Sequence, residues 1–345
     1  MAERRPRVLV AGGGVAELSP RAAAEALARG FAEASDVAVV ALAEGGRPLG
    51  RALVEPDGEV ELLRNGWLAR RPGLVAVGAD PHRSADPLTG SSAVLGRLVG
   101  YALQSERTAS VAVDLTTADV HDAGAGLLAA LGATADVALD AGPEPLARIA
   151  RLELDAVRAR FDGCDLVGLV PPGGLDEQLL GLRGITSRRG RDLGTPPERM
   201  LALDAALEGF TRLAGADLAR APGAGAAGGL GFAILALGGR LSTGAAFCAE
   251  RVRLDQSLAA ADLVVTACDS FDFGSRGGGV VAELARLCAA AETPLLVVSP
   301  TIEMSEREMR VMGVESGHSL APGTDIGAAL TATGRRLVTG WAVRW

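Results

Sequence analysis

The chain has 345 residues, 48% of them apolar, and a formal net charge of −8. That length suits two domains with sizeable cores. The acidic balance argues against a general nucleic-acid or anionic-membrane binder, which needs a basic face. There is no lysine, so all 34 basic residues are arginine. A P-loop and Schiff-base chemistry are therefore excluded, and any phosphate has to be held by Arg, backbone N–H groups, helix N-termini or a metal.

Near the start, RVLVA around Val8 predicts a buried strand, residues 20–34 a helix and residues 37–42 a second strand. RVLVA is too short for the core of a signal peptide. Apolar runs alternating with helices predict parallel strands covered on both faces. Further strands are expected at 58–63, 74–80 and 110–115. Helices are expected at 91–104, with the doublet Ser91-Ser92 as N-cap, and at 123–131. PPGG at 171–174 breaks the chain, and TPPE at 195–198 opens a helix to about residue 213, with proline in the tolerant first turn. Strands at 262–266 and 295–298 flank a helix at 279–291, and a last helix covers 325–336. The glycine-rich stretch 221–239 contains Pro222, so no membrane helix is expected there. Cys164, Cys248, Cys268 and Cys288 form no CxxC pair, which speaks against zinc and suits a reducing cytoplasm.

The sharpest local signal is PGAGAAGGLG at 222–231, with GxGxxG at Gly223, Gly225 and Gly228. A dinucleotide fold needs a strand immediately before that motif, whereas the preceding ADLARA reads as a helix end. Two readings stay open: backbone N–H groups presented to a ligand at a helix start, or close helix packing. RRGR at 188–191 reads as a solvated loop, and His82 and His318 read as surface histidines. His121, beside Asp122, is a candidate acid–base pair. Asp122 and Asp272 are the best carboxylates for a metal or a substrate hydroxyl, with helix capping as the plainer alternative.

At the glycine-rich segment a resemblance becomes specific. PGAGAAGGLG resembles the GAGAAGGLG segment of the type I glycerate kinases, which transfer the ATP γ-phosphoryl group to glycerate. The family's order continues along the chain. SPRAAAEALARGF from Ser19 is similar to the family's N-terminal helix, and DPLTGSSAVLGRLV at 86–99 to its NPL…SSYGTGELI. HDAGAGLLAALG at 121–132 is similar to NDGGAGMLQALG, and ADLVVT at 261–266 to ADLVITGEG.

The departures fall on polar residues. The family's APDSFKG is represented by residues 11–17, which lose its Asp, Ser and Lys. ADGGEGT is represented by residues 43–49, which keep Glu44, Gly45 and Gly46 and add Arg47. Asp122 survives from GGSATNDGG, and Asp272 from TGEGxxDxQ. CDVxNPL has become PPGGL around Pro171, and Arg189 stands where PQKG has its lysine. Arg47 is a candidate replacement phosphate ligand, or else a solvent-exposed turn arginine.

The resemblance implies an α/β, two-domain glycerate-kinase-like fold. Residues 1–46 and 241–345 would form a flavodoxin-like, mostly parallel domain, and 47–240 an inserted second α/β domain, with the ligand cleft between them. It also implies ATP, Mg²⁺ and a small organic acid as ligands, with Ser91, Ser92, Arg189, Gly225, Gly228 and Gly229 joining Glu44, Gly45, Gly46 and Arg47 in binding, and Asp122 and Asp272 in catalysis. A cytoplasmic location, with neither nucleic acid nor membrane as partner, is expected. Because several charge-stabilising positions have changed together, three functions remain: an ATP-dependent glycerate kinase with altered residues, an inactive descendant that binds a ligand or partner, or a nucleotide-dependent enzyme of another class.

Overall fold

A computed structural model describes residues 4–82, 86–104, 108–320 and 325–341. Its contacts divide the chain into two units. The first comprises Met1–Glu44, Arg51–Glu55 and Gly244–Trp345, and the second Gly45–Gly50 and Pro56–Thr243.

The first unit is built on a five-stranded parallel sheet. Its order is Ser316–Ser319, Leu295–Ser299, Leu263–Ala267, Arg7–Gly12, Asp36–Ala41. The runs RVLVA and LLVV become inner strands because burial on both faces suits continuous β-branched and leucine side chains. Val8 faces Leu263 and Val10 faces Val265 across the parallel pair. The helix Pro20–Phe31 starts on Ser19, whose hydroxyl accepts from the Ala22 N–H at 3.3 Å. It buries Ala23, Leu27 and Phe31 against Val8, Val10 and the C-terminal helix Ile326–Trp341. The Thr331 hydroxyl ties the two helices by donating to the Ala26 carbonyl at 2.7 Å.

The second unit carries a six-stranded sheet. Arg240–Thr243, Asp165–Val170, Ser110–Asp114 and Leu74–Ala79 are parallel neighbours, and Gly66–Arg71 and Glu59–Leu63 continue the sheet antiparallel. The hairpin strand Gly66–Arg71 is an element the sequence pattern did not single out. Its Trp67 is fully buried. The core spans Val77, Leu98, Val113, Leu127, Leu207, Phe210 and Phe232, with the Phe210 and Phe232 rings edge to face at 6.1 Å.

Three local expectations are corrected. RRGR lies not in a loop but on the helix Ile185–Asp192, because Ile185 and Thr186 bury its first turn. Ser92 stands at the N-cap position of Ala93–Ala102 but makes no capping bond, since its hydroxyl donates to Asp122 instead. His318 is half-buried on the strand Ser316–Ser319, its Nε2 2.9 Å from the Ser316 hydroxyl, and burial lowers its pKa. His82 is exposed as expected, while part of its polar turn, residues 83–85, lies outside the described residues. No helix among the described residues is long and apolar enough to cross a membrane.

Candidate active site

In the second unit, a cavity of about 550 Å³ opens at the carboxyl ends of Leu74–Ala79 and Ser110–Asp114. Arg64, Asn65, Asp80, Ser91, Thr117 and Asp119 are among its lining residues. Thr117 is held there by donating to the Ala79 carbonyl at 2.7 Å. Arg47 forms a two-pronged ion pair with Asp80, at 3.0 and 2.8 Å. The arginine that the sequence offers as a phosphate ligand is thus engaged by a cavity carboxylate. Asp80 is a residue that sequence reasoning missed.

Behind the cavity, Asp122 is completely buried. Its carboxylate accepts from the Ser92 N–H at 2.7 Å, the Ser92 hydroxyl at 2.9 Å, the Gly124 N–H at 2.9 Å and the Gly126 N–H at 3.1 Å. Burial pushes its pKa up, and these four donors oppose that shift. The Ser92 hydroxyl also accepts from the Leu127 N–H at 2.8 Å. Asp122 and Ser92 therefore bind together the starts of the helices Ala93–Ala102 and Ala125–Ala130. Ser91 remains at the cavity, its hydroxyl 3.4 Å from the Ala93 N–H.

A second buried carboxylate, Asp114, also escaped the sequence reading. One oxygen accepts from the Thr116 N–H and hydroxyl at 2.9 and 2.7 Å, and the other from the Gly46 N–H at 2.6 Å. Burial raises its pKa as well. Gly45 lies so close to Thr116 that a Cβ would meet the hydroxyl at 1.8 Å. The glycines of this motif thus let the turn seat on the Ser110–Asp114 strand end.

The glycine-rich segment does not follow a strand, which removes the dinucleotide-fold reading: a 3-10 turn at Leu218–Arg220 precedes it. Gly225 stands at the N-cap of Ala226–Ala236, and Ala227, Gly228 and Gly229 all adopt positive φ inside that helix. Gly225, Gly228 and Gly229 are buried. A Cβ on Gly225 would meet the Gln178 carbonyl at 2.3 Å, one on Gly228 the Val120 carbonyl at 1.7 Å, and one on Gly229 the Ala123 Cα at 2.6 Å. The segment is close-packed on the backbone that carries His121 and Asp122, and Ala123 donates to the Gly228 carbonyl at 3.2 Å. Arg189 reaches the same place, donating to the Val120 carbonyl, and burial lowers its pKa. His121 is fully buried, with Nε2 3.0 Å from the Thr186 hydroxyl. Burial first, and then Arg189, depress its pKa to about 3.

In the first unit the strand order reverses at Arg7–Gly12, which has Asp36–Ala41 on one side and Leu263–Ala267 on the other. Ligand crevices form outside the carboxyl ends of strands at such a point. There the Asp269 carboxylate accepts from the Ala16 N–H at 2.5 Å. Asp272 accepts from the Ser270 hydroxyl, and from the Gly274 and Ser275 N–H groups at 2.7 Å each, so its pKa is lowered. Glu44 accepts from the Gly279 N–H and, at 3.4 Å, from the Val280 N–H. Its carboxylate fills the electropositive start of the helix Gly278–Ala291. The Thr266 hydroxyl is fully buried and has no hydrogen-bond partner among the described residues.

With this geometry in view, the sequence matches the glycerate kinase family over residues 68–343. The chain belongs to the glycerate kinase family. It is 30% identical over 253 residues to an uncharacterised protein of Mycobacterium bovis, a match covering 73% of this chain and 61% of that protein. It is 25% identical over 344 residues to the glycerate kinase of Bacillus subtilis, covering 89% of this chain and 87% of the other. A crystal structure from Salmonella typhimurium LT2 that carries the name glycerate kinase 2 superposes with a TM-score of 0.82 at 22% identity, covering 99% of both chains. At that identity the likeness shows the fold. Within this glycerate kinase family chain, the buried node Asp122–Ser92 falls inside the matched region. Residues 1–67, with Glu44 and Arg47, lie outside it.

Proposed function

We propose that this glycerate kinase family protein transfers a phosphoryl group from ATP to glycerate or a close hydroxy acid, with slow turnover. The observation that carries the reading is the Asp122 node. Four donors from two segments of the family motifs meet one buried carboxylate at hydrogen-bonding distance, which supports a framework for an acid site retained while other polar positions of the motifs have changed. Relatives from Bacillus subtilis and Escherichia coli are named glycerate kinase and glycerate 2-kinase.

In this reading the acid occupies the cavity of the second unit, where Ser91 and Thr117 offer hydroxyls and Arg64 a cation for its carboxylate. Asp122 does not touch the acid; it holds the helix start that presents Ser91. Among the described residues no three His, Cys, Asp or Glu side chains gather as a metal site. Mg²⁺ binds through one or two carboxylates plus substrate phosphates. Asp269 and Asp272 are the carboxylates suited to it. When bound, the ion neutralises charge on the phosphates.

Slow turnover follows from how the phosphate ligands are occupied. No lysine exists, Arg47 is paired with Asp80, and Glu44 occupies a helix start that would otherwise take an anion. A coupled assay of glycerate-dependent ADP formation, with and without Mg²⁺, tests this. Turnover well below the roughly 1–100 s⁻¹ of protein kinases is expected, and turnover within that range would show that the arginines compensate fully. The Glu44 contact also favours a second reading, a non-catalytic descendant that still binds acid. Calorimetric binding of glycerate with no ADP formed would select it.

A further inference from the structure

The helices Ile185–Asp192 and Pro197–Gly215 reach the two loops of the acid site through three side chains. Arg199 pairs with Asp86 at 2.7 Å, Arg189 donates to the Val120 carbonyl, and Thr186 meets His121 Nε2 at 3.0 Å. The first contact is weak, because the Arg199 and Asp86 side chains are 40% and 37% exposed and water screens them. The third is sealed, since His121 and Thr186 are each 0% exposed. A hydrogen bond with no competing water is costly to break, because each partner left behind stays unsatisfied.

The position of His121 makes this bond matter. Its N–H donates to the Gly90 carbonyl at 2.9 Å, and its neighbour Asp122 gathers Ser92, Gly124 and Gly126. Its ring therefore projects from a backbone fixed on both sides. The Nδ1 atom has no partner among the described residues, so Thr186 alone sets the ring's polar orientation. Depressed to about 3, the ring stays neutral at any working pH, and it is too buried to exchange protons with a substrate.

We propose that His121 is a positioning residue: by pinning Thr186 it sets the helix Ile185–Asp192 and, through that helix, the Arg189 guanidinium that holds the Val120 carbonyl at the cavity wall. This rests on the reading that the cavity takes the acid. The pin itself can be tested without that reading.

The test compares wild type with His121→Leu, His121→Gln and Thr186→Val by hydrogen exchange and by glycerate binding. Exchange of amides 185–192 is expected to rise about tenfold in His121→Leu and Thr186→Val. The helix Pro20–Phe31 of the other unit should be unchanged, and His121→Gln, which can still reach the hydroxyl, should restore protection. Glycerate affinity, or KM, is expected to weaken about tenfold in the same two variants, with kcat altered less than threefold. Exchange rising equally in both units, or a loss of kcat alone, would overturn the proposal by showing a merely global effect. If His121→Leu does not fold, Thr186→Val carries the same judgement. If wild type binds no glycerate, the functional reading fails, and the exchange of 185–192 still decides whether the pin exists.

Discussion

The Arg189 guanidinium donates to the carbonyl of Val120, and Gly228 lies against that same oxygen, where an added Cβ would sit 1.7 Å away. Two motifs widely separated in the chain thus meet on one carbonyl beside the cavity.

Gly228→Ala is expected to destabilise the second unit severely. Its φ of +72 already disfavours an L side chain, and the Val120 carbonyl leaves no space for one. Gly173, with φ +77 and nothing within 4 Å of a Cβ, isolates the backbone cost alone. Urea unfolding should show a loss of about 1–2 kcal/mol for Gly173→Ala and at least about 3 kcal/mol for Gly228→Ala. Equal losses would mean that the Val120 contact relaxes freely.

Asp122→Asn and Arg47→Ala should separate frame from chemistry. An amide offers one acceptor oxygen to four donors and turns its own N–H groups toward them. A stability loss of about 2–4 kcal/mol is expected. Arg47→Ala removes a half-exposed ion pair, so the unfolding midpoint should hardly move. If Arg47 contacts phosphate, turnover should nevertheless fall by about 10²-fold or more. Unchanged turnover in Arg47→Ala would return that arginine to a surface role.

Acid should weaken the fold through His121. Its folded pKa of about 3 lies below the ordinary 6.5, so the unfolded chain takes up the proton first. The stabilisation is full above about pH 6.5 and is lost as pH falls toward 3, reaching about 2 kcal/mol by pH 5. His318 acts in the same sense, while Asp114 and Asp122, with raised pKa values, act against it. The clean measurement is the difference between wild type and His121→Asn in urea midpoint at pH 7 and pH 5. The wild-type drop should be the larger.

The cysteines should be largely inert. Cys248 and Cys288 are buried with thiols pushed up to about 12, and Cys268 is raised to about 11. The thiolate is the reactive form. Only Cys164 is partly exposed. An aromatic disulfide reagent at pH 8 should titrate at most one thiol in the native protein, lost in Cys164→Ser, and four after unfolding.

The strands were legible because burial on both faces demands continuous apolar runs. RVLVA, LVVT and LLVV stand where such runs predict them. The hairpin strand Gly66–Arg71 was not, since GWLARR carries two arginines and its burial comes from the neighbours that flank it.

By itself, the sequence determined the α/β class, the family, the absence of any lysine and the set of polar residues available for chemistry. Only the tertiary structure decided how those residues are spent. Asp122 takes Ser92 from 30 residues away, Asp114 takes Gly46 from 68, and Arg189 takes the Val120 carbonyl from 69. A carboxylate motif reads the same whether it faces a substrate or four N–H and O–H donors of its own chain. The choice depends on which backbone groups the folded sheet leaves buried and unpaired, and each must find a partner once water is excluded.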